Sequence, residues 1–370
     1  MAIAGGNISL DSTEGMDRIT QTEKVTSPYF SNGQATLAAA NIVSSSQTGQ
    51  ATNETYFFGI AHSSTPTVQE FDVTFGSTNG YGSKVETNTK PETEAIYKQY
   101  ASLLLAPTEV TGGFFISSPA SNSTVASGKD TEIFVLAARR SNMKDRINKG
   151  TWTVALSGSN SAADAAAPIL ELTDDSVNSN PTATPVGDRY NIVSGAAGTV
   201  HSESTARNYG FFYPDMGILV FSAAELSASI PGKGANAMDT VNFGNTNHTG
   251  FGFATASNDT VNRKTALRFI NCLSSGSGAL LTFRDEEDQV SSQYFCRARS
   301  GQMNFSNNPT FVSGSLNELR QKTMKGNPTS FISSVQLYND AGEMVAIGNL
   351  STPLKKNFSS EATIKVKLTY

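Results

Sequence analysis

The fold class is decided by the stretch FISSVQLY (331–338), NDAG (339–342), EMVAIGNL (343–350), STPLKKNFSS (351–360) and EATIKVKLTY (361–370). Two alternating segments around the Asn/Asp/Gly turn predict a β-hairpin with a loop of about four residues. The final segment alternates strictly, with Ala362, Ile364, Val366, Leu368 and Tyr370 on one face. Period-two alternation predicts a strand with one face on a core and the other in solvent or against a partner.

The rest of the chain predicts further strands and three short helices. Pro91 and Pro107 bound a helix over Lys90–Ala106, a second is expected over Asp259–Leu273, and a capping box starts a third over Ser315–Lys325. Strands are expected at Ile8–Leu10, Thr55–Ala61, Phe71–Phe75, Phe114–Ile116, Glu132–Ala138, Trp152–Leu156, Ile169–Leu172, Tyr190–Val193, Gly217–Phe221, Val241–Phe243 and Gln293–Ala298. The predicted class is mainly β (α+β), with antiparallel β-sandwich-like sheets and long Gly/Ser/Asn-rich loops.

Three consecutive segments are predicted along the chain. Residues 1–50 are rich in Ser, Thr, Gly, Asn and Gln, and we interpret them as an extended arm that becomes ordered on a partner. Residues 51–130 form a small β/α segment, and residues 131–370 form the main β-rich domain with its terminal hairpin and strand.

Composition and charge argue against nucleic acid and membranes as partners. Charged residues make up 16% of the chain, the net charge is −5, and no basic stripe is interleaved with aromatic residues. The first residues lack the pattern of a signal peptide, and no apolar run reaches membrane-spanning length. Cys272 and Cys296 have neither metal-ligand nor redox spacing and are expected to be free, buried thiols.

Residue types that carry chemistry are not gathered into a known motif. His62, His201 and His248 are far apart and predict neither a metal ligand set nor a general base. Asp174–Asp175 and Arg284–Asp288 are interpreted as charged turns, because the second cluster lacks the alternate spacing of a calcium loop. Ser274–Gly278 follows a predicted helix, not the strand that a nucleophile turn needs. We therefore expect no enzymatic activity, no cofactor and no metal.

Several blocks of sequence resemble a known protein family. The residues that carry the likeness are Lys144–Ile147, Gly150–Trp152, Tyr213–Ile218, Arg297–Arg299, Asn304–Phe311, Val335, Leu337–Asp340, Glu343, Val345–Ala346, Leu350–Ser351, Pro353, Lys355 or Lys356, Phe358, Glu361–Ala362 and Ile364–Leu368. Over roughly residues 134–370 the chain is similar to a family of large virion structural proteins of T-even-like contractile-tailed phages, especially cyanophages. It departs from the family pattern at Thr369, where an acidic residue is usual.

The resemblance implies a role in assembling a phage particle. It implies a non-enzymatic tail, baseplate or tail-peripheral component, located in the virion and assembled in the bacterial cytoplasm, whose partners are other structural proteins and copies of itself. A neck, collar or capsid decoration protein is one alternative. A separate alternative is a receptor- or glycan-binding adhesin, in which the aromatic segment Tyr209–Tyr213 stacks on sugars. Packing at a strand edge is the favoured interpretation of this segment, because Pro214–Asp215 follows it as an ordinary turn. The expected interface residues are Arg297, Arg299, Phe305, Asn308 and Phe311.

Overall fold

Two compact units make up the chain. The computed structural model describes residues 17–27, 36–38, 42–44, 56–61, 69–81, 83, 91–110, 113–116, 129–157, 169–201, 207–230, 265–274, 280–304 and 309–370. The larger unit comprises Val25–Glu287, and the smaller unit combines Met1–Lys24 with Asp288–Tyr370. This division differs from the three predicted segments, because a strand within the predicted arm pairs with one near residue 290.

Strands dominate the described residues, so the predicted mainly-β class is confirmed. Their bounds are β1 Arg18–Ser27, β2 Thr36–Ala38, β3 Ile42–Ser44, β4 Phe57–Ala61, β5 Gln69–Ser77, β6 Glu132–Ala138, β7 Arg146–Ile147, β8 Thr153–Ser157, β9 Ile169–Asp174, β10 Thr182–Thr184, β11 Gly187–Ala196, β12 Thr199–Val200, β13 Gly210–Tyr213, β14 Ile218–Ser222, β15 Leu280–Thr282, β16 Asp285–Ala298, β17 Ser330–Tyr338, β18 Met344–Lys356 and β19 Ala362–Thr369. The predicted strands at Ile8–Leu10 and Val241–Phe243 lie outside the described residues.

Three α-helices lie in the larger unit within the described ranges: α1 Glu92–Leu104, α2 Ala223–Ser229 and α3 Thr265–Ser274. The first two predicted helices correspond to α1 and to the described part of the segment Asp259–Leu273. Helix α1 begins after Pro91 and buries the stripe Thr93, Tyr97, Ala101 and Leu104, whose spacing of three to four residues fits one helical face. The start of the second prediction, Asp259–Lys264, lies outside the described residues.

The predicted helix over Ser315–Lys325 is wrong. Asn317 has a left-handed φ of 51°, and Val312 and Leu319 form an isolated antiparallel bridge, so the chain doubles back within this segment. A single 3₁₀ turn follows at Lys322–Met324. A short helix is marginal in water without an apolar face to pack, and Leu316 is left 74% exposed here.

The predicted strand at Phe114–Ile116 is also wrong, although Phe114 and Ile116 are buried. This extended stretch satisfies its backbone largely through side chains. Phe114 N–H donates to the Tyr97 hydroxyl at 3.0 Å, and Ile116 N–H donates to Asp130 Oδ2 at 3.0 Å. Buried backbone groups need a hydrogen-bond partner, but this partner need not be a neighbouring strand. The apolar pattern therefore predicted the burial of this stretch correctly and its strand pairing wrongly.

One large antiparallel sheet forms the body of the larger unit. Its strand order is β2-β15-β8-β9-β11-β13-β14-β6-β5-β4-β3, with β10 and β12 paired to β11. The predicted strands Trp152–Leu156, Ile169–Leu172 and Tyr190–Val193 correspond to β8, β9 and β11, which are neighbours in this sheet. The longest uninterrupted ladder that the structure describes in this sheet joins β5 to β6, from Phe71↔Ala138 to Ser77↔Glu132.

The central strands are buried on both faces. In β6, Phe134 and Leu136 belong to one apolar cluster, while Ile133 and Val135 belong to another. Strand β14 follows the same rule, because its alternate residues join the two clusters in turn. This explains why these strands read as continuous apolar runs, a pattern typical of strands covered on both sides.

Helices and the curvature of the sheet cover these two faces. Tyr97 of α1 packs edge-on against Phe114 on one side. On the other side, Phe269 of α3 lies 5.8 Å from Phe134 between ring centroids. The Phe71 and Phe283 rings are 4.7 Å apart although β5 and β15 are distant in the strand order, so the sheet curls around this second cluster.

The smaller unit contains two thin sheets. Strand β16 lies between β1 and β19, and β19 pairs with it from Ser291↔Thr369 to Ala298↔Ala362. The predicted face of β19 is confirmed in its alternation, because Ala362 is buried and Ile364, Val366 and Leu368 are half-buried. Tyr370, however, is exposed. Strands β17 and β18 form a separate two-stranded hairpin.

Truncating Phe269 to alanine should destabilise the larger unit by about 3–5 kcal/mol, because the side chain is fully buried against Phe134 and Phe221. Denaturant unfolding followed by the fluorescence of the single tryptophan, Trp152, measures this. Leu103→Ala in α1, where the leucine is 40% exposed, is the control and should cost much less. Equal losses for the two variants would contradict the assignment of Phe269 to the core.

Candidate interaction surface

The C-terminal hairpin closes through a turn held by Asn339. Its N–H donates to the Glu343 carbonyl at 2.9 Å, and its side chain bonds both the N–H and the carboxylate of Glu343 at 2.8 Å. Gly342 supplies the left-handed φ of 81° that this turn needs. The predicted hairpin is present, with five residues between β17 and β18.

Strand β18 runs beyond Leu350, the last residue of the second alternating segment, and continues through Pro353 to Lys356. The register skips from Ser334↔Asn349 to Ile332↔Leu354, so residues 350–353 form an irregularity in β18 with no direct partners in β17. Proline lacks an N–H and is tolerated in strands at such irregular or edge positions. Pro353 therefore lies within this irregularity and does not end the strand.

The two faces of the hairpin differ in exposure. The face that we call the Tyr338 face carries Ile332, Ser334, Gln336 and Tyr338 of β17 opposite Leu354, Asn349, Ile347 and Met344 of β18. Tyr338 and Ile347 are each 56% exposed on it. On the opposite face, Val335, Leu337 and Ala346 are half-buried. Towards the base the difference reverses, since Ile332 of the Tyr338 face is half-buried and Phe331 of the opposite face is 55% exposed. A two-stranded ribbon is marginally stable alone, so an exposed apolar face on it favours a further packing partner.

Exposed apolar side chains are concentrated in the smaller unit. Ten of the fifteen exposed large hydrophobic side chains among the described residues belong to it: Ile19, Leu316, Phe331, Tyr338, Met344, Val345, Ile347, Leu354, Phe358 and Tyr370. Ala298 and Ala362 are the buried apolar residues of its described part. Both extended apolar clusters of the structure consist of residues from the larger unit.

The predicted interface residues lie in this smaller unit. Arg297 and Arg299 are exposed near the end of β16, and Phe311 is half-buried in a 3₁₀ turn. Phe305 and Asn308 lie outside the described residues. Sequence reasoning selected Arg297–Phe311 for its arginines and aromatics, but it missed Tyr338, Met344 and Ile347.

Lys356 is a fully buried cation at the base of the hairpin. Its Nζ donates to the Ser300 carbonyl at 3.1 Å and to Asn304 Oδ1 at 3.0 Å. Burial lowers the pKa of this amine, since charging it in an apolar setting is unfavourable. Lys356 thus ties the end of β18 to the loop after β16, and its neighbour Lys355 is exposed.

Replacing Lys356 by methionine should lower the stability of the smaller unit by about 1–3 kcal/mol. The change leaves Asn304 Oδ1 without the donor Lys356 Nζ and removes one of the two donors of the Ser300 carbonyl, which still accepts from Asn304 Nδ2. Lys355→Met, at the exposed neighbouring position, should have little effect. Hydrogen exchange of the β17–β18 amides, compared between the two variants, measures the difference. Equal protection in both would show that the Lys356 contacts contribute nothing.

A second cluster of charged residues lies in the larger unit, where β7 pairs with the start of β16. Asp285 Oδ2 accepts from Lys144 N–H at 2.8 Å, and Asn148 Nδ2 donates to Glu286 Oε2 at 2.8 Å. Lys144 Nζ pairs with Glu287 at 2.6 Å. Arg284–Asp288 is therefore not a charged turn as predicted, because Asp285–Asp288 form the start of strand β16 and Asp285 and Glu286 are buried.

Asp174 was likewise expected in a charged turn, and it lies buried at the end of β9. Both of its carboxylate oxygens are 2.9 Å from Gly150 N. Asp175, at the following bend, accepts from Asn191 N–H at 2.9 Å. These carboxylates, like that of Asp285, accept hydrogen bonds from backbone N–H groups that have no acceptor in a neighbouring strand. The spacing of acidic residues in the sequence does not reveal this role.

Burial raises the pKa of Asp285 to about 6. A carboxyl that binds its proton more tightly when folded stabilises the protein at low pH, and this contribution is lost as the pH rises from about 4 through 6. The stability of Asp285→Asn relative to wild type should therefore rise over this window, by at most about 3 kcal/mol. Thermal melts at several pH values, with the exposed Asp188→Asn as control, measure it. A difference independent of pH would contradict the raised pKa.

The remaining candidates from the sequence occupy structural positions. Tyr209, Phe211, Phe212 and Tyr213 are buried, so they are not available to stack on a sugar. His201 lies 3.7 Å from Glu171 at the surface, whereas His62 and His248 lie outside the described residues. Cys272 is a buried free thiol in α3, as expected, but Cys296 in β16 is only half-buried.

The described residues contain neither a metal-binding group nor a membrane-spanning helix. No group of His, Cys, Asp and Glu within these ranges is arranged to hold a metal ion. No helix within them has both the length and the apolar character to cross a membrane. Comparison of the whole chain with protein-family models, with curated proteins and with solved structures finds no match.

Proposed function

We propose that the chain is a non-enzymatic structural subunit of a contractile-tailed phage particle, in the tail, the baseplate or its periphery. Its role is to hold neighbouring subunits together by shape-specific binding. The observation that carries this proposal is the smaller unit, whose described part exposes ten large hydrophobic side chains and buries only alanines as apolar residues.

The energetics of the smaller unit favour assembly. Ordering a residue costs about 1–2 kcal/mol of backbone conformational entropy, which burial of apolar surface must offset. In thin sheets, the apolar residues stay half-buried or exposed. Burial within one chain therefore offsets only part of this entropy cost. A neighbouring subunit that covers the Tyr338 face would supply more burial. Exposed apolar patches of this kind mark interaction sites in soluble proteins.

The resemblance of residues 134–370 to virion structural proteins supports the same proposal. Two of its blocks, Lys144–Trp152 and Tyr213–Ile218, meet in the structure, where Ile147 N–H donates to the Pro214 carbonyl at 3.1 Å. Arg146 also lies 3.9 Å from Asp215. The shared residues in these blocks thus hold the larger unit together, and the C-terminal blocks build the smaller unit.

Truncation after Leu350 should abolish incorporation into particles. It removes β19 and the end of β18, so β16 loses its partner from Ser291 to Ala298 and the Lys356 contacts disappear. A bared strand edge favours aggregation or mispairing. Particles purified from cells that supply only the truncated chain should lack it, whereas a chain that lacks only Tyr370 serves as the control.

Reconstruction of the intact particle tests the location. Density for the chain between other tail proteins supports the proposal, and a free protein absent from purified particles contradicts it. Normal incorporation of the truncated chain would also count against the proposal, because the smaller unit would then be dispensable for assembly.

A further inference from the structure

The buried amine of Lys356 lies against a side-chain carboxamide. Lys356 is 0% exposed and Asn304 is 7% exposed. Lys356 Nζ lies 3.0 Å from Asn304 Oδ1 and 3.1 Å from the Ser300 carbonyl oxygen. The same carbonyl accepts from Asn304 Nδ2 at 2.6 Å, so it holds the amine and the carboxamide side by side. An amine and a carboxamide are the two groups that join in a new amide bond when ammonia leaves.

A carboxylate lies near this pair. The chain returns from β18 to β19 through a turn over residues 357–360, in which Ser360 N–H donates to the Asn357 carbonyl at 3.3 Å. Glu361 follows this turn, and its negative charge acts on the Lys356 amine. A carboxylate beside a reacting amine takes up one of its protons and passes it on, which is general acid–base catalysis.

We infer that Lys356 and Asn304 become joined by an isopeptide bond, formed by the chain itself with Glu361 as the carrier of the proton. The lone pair of Lys356 Nζ attacks Asn304 Cγ, and the Nζ–Cγ bond forms. One proton passes from Nζ through the Glu361 carboxylate to Nδ2. The Cγ–Nδ2 bond breaks, its electron pair stays on Nδ2, and ammonia leaves. The products are one amide and one ammonia molecule, so the reaction balances without any further reactant.

The surroundings of Lys356 favour this reaction. Only a neutral amine has a lone pair for the attack, and burial lowers the pKa of Lys356 against the opposing effect of the Glu361 charge. Asn304 Cγ is one C=O bond, about 1.2 Å, from the oxygen that Nζ already contacts. Reactants held in the right orientation behave as though their concentration were about 10⁵ M or more. The hydrogen-bonded pair is therefore the state before the reaction.

The link suits the construction of the smaller unit. Its described part buries only Ala298 and Ala362 as apolar residues, and units with so little core are commonly held by covalent bonds. A bond between positions 304 and 356 closes a loop that contains the whole β17–β18 hairpin. Such a closure restricts the unfolded chain and stabilises the folded one. Lys356→Met then loses the link as well as its hydrogen bonds, so its effect on the hairpin amides exceeds that of the hydrogen bonds alone.

Intact mass spectrometry of the purified full-length protein tests the link. Wild type should be lighter than its calculated mass by one ammonia molecule. Lys356→Met and Asn304→Ala should each keep their full calculated mass, whereas Lys355→Met, at the exposed neighbouring position, should show the same loss as wild type. Tandem mass spectrometry of a tryptic digest should find one branched peptide that joins positions 304 and 356.

Glu361→Gln separates the reaction from folding. Because Glu361 is exposed, this variant should fold as wild type does and form the link about a hundredfold more slowly. Glu318→Gln, at another exposed glutamate of the smaller unit, is the matched control and should form it at the wild-type rate. The linked fraction, followed by mass during incubation, measures both rates, and far-UV circular dichroism checks that each variant is folded.

Four results would overturn the inference. These are a wild-type protein that keeps its full calculated mass after prolonged incubation, a loss of ammonia that persists in Lys356→Met, a branched peptide that joins other positions, and equal rates for Glu361→Gln and Glu318→Gln. A persistent loss in Lys356→Met would assign the ammonia to an asparagine that cyclises elsewhere. The inference does not depend on the proposed function, because a linked chain that is absent from particles keeps the link and loses the assignment to the virion.

Discussion

The large sheet depends on the burial of β6, β13 and β14 on both faces. Alternate residues of these strands enter two separate apolar clusters, so two layers of structure have to cover them. Helix α1 with the stretch 113–116 covers one face, while α3 and the curled ends of the sheet cover the other. The carboxylates of Asp130, Asp174 and Asp285 accept hydrogen bonds from buried backbone N–H groups that lack a strand partner. Two-sided burial therefore leaves these N–H groups satisfied.

The smaller unit is built on the opposite principle. Each strand of its sheets is hydrogen-bonded to only one or two neighbouring strands, and few residues of the described chain cover its apolar side chains. Its internal order comes from strand pairing, from the Asn339 turn and from the buried Lys356 amine. Such a unit has stability to gain from a neighbour, and this difference in burial between the units is the physical basis for the proposed role in assembly.

The local sequence pattern predicted the secondary structure correctly wherever interactions between near neighbours in sequence decide it. The alternation of Ala362–Leu368, the Asn/Asp/Gly turn and the proline-bounded α1 were all predictable, because each depends on near neighbours in sequence. The same reasoning failed over Ser315–Lys325, where a capping box at the start and Gly326 after the end both favour a helix. No apolar surface lies against Leu316, so the helix that these signals favour gains nothing from packing.

The sequence by itself determined the mainly-β class, most strand positions and the face of β19, since period-two alternation is a property of the chain alone. Tertiary structure decided which apolar residues are buried. Phe211 and Ile347 both lie in apolar strands, yet one is enclosed and the other is 56% exposed. It also drew Asp285 into a buried strand and brought residues near 20 beside those near 290. These outcomes depend on what lies opposite each residue in space, which is set by long-range pairing and not by local sequence.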